Sequence, residues 1–151
     1  MPSHESIIHT AARLQHATQP KVSFMLYVSL ASTKNAMRLF RVISKTIWDQ
    51  TQQLGYVPRC GNDHKLDCVH LNVEEAVLFI ANKYFTYEEA PLVLEIDDAR
   101  FNDFIEWLPP SDEQPWMQPR AHIGNLPQAA IITATPLSYR DGLFGWENDE
   151  Q

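Results

Sequence analysis

An α+β domain, with a curved, largely antiparallel sheet and helices on one side, is the fold class this sequence predicts. Three observations lead to it. Apolar runs of strand length, rich in Val, Leu and Ile, recur at Leu39–Ile43, 66–72, Leu92–Ile96 and 130–135. Two intervening segments repeat apolar residues at helical spacing. The order is strand, helix, loop, strand, helix, strand and then three short strands.

Leu39-Phe40-Arg41-Val42-Ile43 opens the domain as a strand. Ser44 caps a helix that runs to Leu54 and presents Ile47, Trp48, Thr51 and Leu54 on one side, and Gly55 stops it. A serine at the N-cap accepts from free backbone N–H groups, and a glycine past the end tolerates a left-handed turn. Residues 58–65 hold Pro, Gly, Asn and Asp and read as a loop. The strand Leu66-Asp67-Cys68-Val69-His70-Leu71-Asn72 follows. Asn72 and Glu75 have the spacing of a capping pair for a helix from Val73 to Phe85, with Val73, Val77, Ile80 and Tyr84 as its buried stripe and Ala76 and Ala81 at close approaches. Leu92–Ile96 is the next strand, 97–104 a turn or short helix, and Ile105-Glu106-Trp107 a short strand. The loop 109–119 carries four prolines. A strand begins at His122, the chain turns through 124–128, and a last strand covers 130–135. The boundaries are thus an N-terminal extension, 1–38, a folded domain, 39–136, and an acidic, peripheral C-terminal tail, 137–151. Within the extension, Ile8, Ala12 and Leu14 suggest a helix and Phe24 to Val28 a strand, laid on the domain or left mobile.

At 151 residues, with 44% hydrophobic and 21% charged residues, the chain supports one domain with a real core. A net charge of −7 argues against a DNA-binding protein that neutralises phosphates with clustered Lys and Arg. The charge is uneven, however. Residues 1–65 hold eight of the twelve Lys and Arg and only the acids Glu5, Asp49 and Asp63. A basic rim of this kind attracts a phosphate-bearing small molecule. Cys60 and Cys68 are too few for a disulfide framework, and the expectation is a cytoplasmic protein with reduced thiols. No apolar run approaches the roughly 20 residues that cross a bilayer, so no membrane is expected as a partner. Residues 1–38, with a single acid and scattered Arg, Lys, Ser and Thr, have a weak transit-peptide composition.

Two histidines carry the functional reading. His70 sits in an apolar strand ahead of a helix, and His122, in Arg120-Ala121-His122-Ile123-Gly124, sits ahead of a turn and an apolar strand. Val69-His70-Leu71-Asn72, the paired aromatics Tyr84-Phe85, the run Leu92–Ile96, and His122-Ile123-Gly124 with Leu126 occur in an order and spacing that resembles the family catalogued as domain of unknown function 952. The likeness covers 39–136. Asn72 stands where that family has Ser. Leu108 follows Trp107 where it has a glutamate, so the acid comes from Glu106, Asp112 or Glu113 or is missing. Arg120-Ala121 replace a Phe-Pro lead-in, and the tyrosine of the second motif is missing. The resemblance implies an ADP-ribosyltransferase-like fold and a pocket for a nucleotide or phosphoribosyl ligand, with NAD as a candidate substrate.

Cleaving the nicotinamide–ribose bond passes through an oxocarbenium-like state, so a site for it holds ribose hydroxyls, cradles phosphate and places negative charge near the developing cation. On this reading His70 and Asn72 bind ligand, Arg41 and Arg59 meet phosphate, Glu106 is the carboxylate and His122 an acid or base. It makes the protein a NAD-dependent transferase or glycohydrolase. The alternative is a non-catalytic module that uses the same concavity for ligand or protein binding, and the missing glutamate and altered second motif favour it. Taken alone, a histidine on an apolar strand is a hydrogen-bonded core residue, and Arg41 and Arg59 are surface charges. Cys60, His64, Cys68 and His70 fall close together, but their spacing does not match the compact hooks of structural zinc sites, and no metal is expected. Nothing near Cys68 lowers its pKa toward that of a nucleophile.

Overall fold

The computed structural model describes residues 37–150. The helix and strand expected in the N-terminal extension lie outside the described residues. β1 (Leu39–Ile43) is buried along its whole length. A strand of that kind sits inside a sheet covered on both faces, and its alternating side chains feed two separate cores. Leu39 and Ile43 join Leu94 and Ile96 of β5 (Leu92–Ile96) in one core. Phe40 and Val42 join Val93 in the other.

The elements between them are α1 (Lys45–Leu54), β2 (Tyr56–Val57), α2 (Gly61–Leu66), β3 (Val69–His70), β4 (Asn72–Val73) and α3 (Glu74–Tyr84). After β5 come β6 (Ile105–Leu108), β7 (Gln118–Ala121), β8 (Leu126–Pro127), β9 (Ile131–Pro136), β10 (Ser138–Arg140) and β11 (Leu143–Gly145). The main sheet has the order β4-β1-β5-β9, a second sheet the order β3-β7-β6, and β2-β8 and β10-β11 are two-stranded. Every strand pairing among the described residues is antiparallel. The molecule is therefore α+β and mainly antiparallel, as expected. Its helices do not share one side. Ile47 and Trp48 of α1 pack on the first core, and Val77 and Ala81 of α3 belong to the second, on the opposite face of β1 and β5.

α1 forms as its punctuation predicts: the Ser44 hydroxyl accepts from Ile47 N–H at 3.2 Å, and Gly55 closes the helix at φ 81°. Leu54, expected on the buried side, is 50% exposed at the helix end, where the chain turns away through Gly55. The loop expected at 58–65 holds at 58–60 and is corrected to the helix α2 from Gly61 onward. Gly, Asn and Asp are poor helix formers, and six residues are too few to hold a helix by propensity. What decides is Asp63, which accepts from the Cys60 backbone N–H at 3.1 Å and is buried against Arg41.

The helix cap is also displaced. Val73 is the N-cap of α3 rather than Asn72, because both residues are drawn into β4, with Leu39 opposite Val73 and Phe40 opposite Asn72. Of the expected stripe, Val73 and Val77 are buried while Tyr84 is exposed, and Ala76 and Ala81, expected at close approaches, are buried. The strand expected to start at His122 ends at Ala121 instead, although the His122 N–H still donates to Phe104 O at 2.8 Å.

The segment read as a peripheral tail is the β10-β11 hairpin. Its two-residue turn, Asp141 at φ 53° and Gly142 at φ 80°, has the positive angles of a type I′ turn. Phe144 is buried with Phe40, Val77 and Val93. Asn82 on α3 holds it there, accepting from the Phe144 N–H at 2.8 Å and donating to its carbonyl at 3.2 Å. From Arg38 onward the described residues thus form one compact unit. Among the described residues no helix is long and apolar enough to cross a membrane.

Candidate functional site

Arg41 shares the parity of Leu39 and Ile43 on β1, so its side chain is directed into a covered face and is buried. A buried guanidinium requires a partner. Asp63 of α2, fully buried, supplies it: Arg41 Nη2 reaches Oδ2 at 2.6 Å and Nη1 reaches Oδ1 at 3.3 Å. Arg41 Nη1 also donates to the His70 carbonyl at 2.6 Å. His70 closes the network from β3, its N–H donating to Asp63 Oδ1 at 3.0 Å and its Nδ1 lying 2.7 Å from the same oxygen.

Burial alone pushes the Asp63 carboxyl up, but the hydrogen bonds from His70 and Arg41 outweigh it and hold the group well below the usual carboxylate range. An ionised carboxylate only accepts, so His70 Nδ1 carries the proton toward it. In the neutral ring Nε2 is then an acceptor, and Asn62 Nδ2 stands 3.3 Å from it as the donor. Arg41 and Asp63 thus fix the tautomer and the angle of one imidazole.

That imidazole lines a cavity of about 740 Å³. Arg41, His70, Asn72, Gln118 and Arg120 form part of its wall, with Ile80, Tyr84 and Phe85 at the end of α3 and Trp116 from the proline-rich loop. Trp116 is braced edge-on against Phe79, ring centroids 5.1 Å apart. The size and the mixture of aromatic walls with a few polar groups suit a small-molecule site.

The sequence-predicted residues divide. His70, Asn72 and Arg41 line the cavity; Arg59, Glu106 and His122 do not. Arg59 is a tether, with Nη1 on Asp67 Oδ1 and Nη2 on the Ile123 carbonyl, each at 2.8 Å. Glu106 and His122 pair with each other, Oε1 to Nε2 at 3.1 Å, both 51% exposed. Of the two imidazoles and the carboxylate expected together, the cavity wall holds His70, while Glu106 on β6 and His122 just past β7 pair with each other. No Asp or Glu among the described residues is on its wall. Among the described residues no three His, Cys, Asp or Glu side chains cluster as metal ligands. Cys68 is buried, which pushes its thiol up, away from nucleophilic character.

Sequence reasoning missed Asp63 and Arg120. The acid three residues after Cys60 was a signal for the first, since that spacing places a carboxylate where it accepts from the N-cap N–H. Nothing local marks Arg120, which meets His70 only through the β3-β7 register.

No protein-family model and no curated protein matches this chain. Among solved structures, the crystal structure of protein CC0527 from Caulobacter crescentus has a TM-score of 0.63 at 16% identity, covering 74% of this chain and 96% of that one. Its solution structure gives a TM-score of 0.59 at 16% identity, over 76% and 96%. At that identity the likeness is one of fold.

Proposed function

We propose that this domain is a non-catalytic binding module of ADP-ribosyltransferase-like fold, whose cavity at His70 takes a nucleotide or phosphoribosyl ligand. The observation that carries the reading is the cavity itself: one imidazole, oriented from behind by a buried Asp63–Arg41 pair, faces aromatic walls, and no Asp or Glu among the described residues lines the cavity. An oriented imidazole with Asn72 nearby suits hydroxyl recognition, whereas stabilising an oxocarbenium ion needs negative charge that the described residues do not supply to this wall. The motif order around His70, Tyr84-Phe85 and His122 supports the family likeness, and NAD remains among the ligands it suggests.

Thermal unfolding of the wild type and of His70→Ala with NAD, ADP-ribose and nicotinamide tests this, because a ligand that binds only the folded state raises the midpoint by mass action. The expected result is a rise with NAD or ADP-ribose that is lost in the variant. No rise with any of the three rejects the nucleotide reading. One observation favours the transferase or glycohydrolase reading: Glu106 stands opposite Arg120, on the same sheet face as His70. Release of nicotinamide from NAD by the wild type, abolished in Glu106→Gln, would establish it in place of the binding module.

A further inference from the structure

The antiparallel pairing of β3 and β7 sets His70 directly opposite Arg120. The Leu71 N–H bond to Pro119 O, 3.0 Å, carries the pairing one step further and brings Asn72 alongside Gln118. Residues opposite one another, and residues two apart, point to the same face. His70, Asn72, Gln118 and Arg120 therefore form one polar floor, and all four line the cavity.

The cations of this floor are not equivalent. Arg41 is spent on Asp63 and the His70 carbonyl. Arg120 has no side-chain hydrogen bond or ion pair among the described residues, although Glu106 is its cross-strand neighbour on β6. Glu106 is held by His122 instead. Among the described residues the guanidinium of Arg120 is thus an uncommitted cation on a cavity wall. Its planar fork matches the oxygens of a phosphate, and the Gln118 and Asn72 amides beside it add neutral donors.

Resting on the nucleotide reading above, we infer that Arg120 is the anion subsite of this cavity and that the ligand is a phosphorylated nucleoside. Its phosphate lies on Arg120 and Gln118, and its base lies against Trp116. Arg41 and Arg59, the arginines the sequence put forward for phosphate, are committed to other partners.

Calorimetric titration of AMP and of adenosine into the full chain, Arg120→Gln and Arg120→Lys tests the assignment at low ionic strength, where exposed charge is least screened. AMP binds the wild type about tenfold to a hundredfold tighter than adenosine, as expected for charge-assisted bonds to one phosphate. Arg120→Gln abolishes that preference and leaves adenosine binding unchanged, and Arg120→Lys keeps part of it because the charge persists without the fork. Unchanged adenosine binding also reports that each variant is folded. An AMP preference that survives Arg120→Gln overturns the inference by placing the phosphate elsewhere. Equal affinities for AMP and adenosine overturn it while leaving a nucleoside pocket in place, and the absence of binding by both probes overturns the nucleotide reading with it.

Discussion

Asp63 receives five hydrogen-bonding contacts, from Arg41, His70 and the Cys60 N–H, without any exposure to solvent. Removing it leaves the Arg41 guanidinium buried and unpaired, a loss of about 3–5 kcal/mol. Asp63→Ala is therefore expected to unfold at much lower urea concentration than the wild type. The same group sets the acid stability. A carboxyl held low in the fold takes up its proton at lower pH than in the unfolded chain, where Asp titrates near ~3.9. Its contribution is complete above that value and is lost as the pH falls toward the folded value. Unfolding free energy followed from neutral to strongly acid pH should decline along that limb, and Asp63→Asn should flatten it. At this scale the sequence showed only part of the site. His70 stood out because an imidazole is unusual in an apolar strand, whereas Asp63 was hidden in a stretch whose composition reads as a loop.

Elements with local punctuation were legible and those held by tertiary contacts were not. α1 has both its signals in the chain, and each makes a prediction. Ser44→Ala removes the acceptor for Ile47 N–H and should cost about 1 kcal/mol in thermal or urea unfolding. Gly55→Ala should cost about as much for a different reason: its Cβ meets nothing within 4 Å, so the penalty is the left-handed backbone alone. A midpoint unchanged in Gly55→Ala would contradict the cap. α2 has the opposite character, a short run of weak helix formers ordered by a buried ion pair. β4 likewise took Asn72 and Val73 from the start of α3, because the edge of β1 offered them strand partners.

The whole molecule depends on its C-terminal hairpin. Phe144 is 6% exposed, closes the second core over Phe40 and Val93, and is fastened by the Asn82 side chain. Phe144→Ala is expected to destabilise the protein by about 3–5 kcal/mol in urea unfolding, through lost transfer energy and the cavity left behind. Truncation at Pro136 should do more, exposing that core and producing aggregation measurable by light scattering. The hairpin was readable in principle. Asp141-Gly142, between Leu137-Ser138-Tyr139-Arg140 and Leu143-Phe144, is a type I′ turn signal, obscured by the acidic composition around it.

By itself the sequence determined the α+β class, the main-sheet strands Leu39–Ile43 and Leu92–Ile96, both ends of α1, and the presence of His70 among apolar neighbours. These rest on short-range chemistry: side-chain alternation, caps, and the conformational freedom of glycine. Tertiary structure alone decided that the helices cover both faces of the main sheet and that His122 and Glu106 pair outside the cavity. It also committed Arg41 to Asp63 and set Arg120 opposite His70. The reason is physical: a charge has no role until its partners are placed, and here those partners lie on strands and helices far apart in the chain.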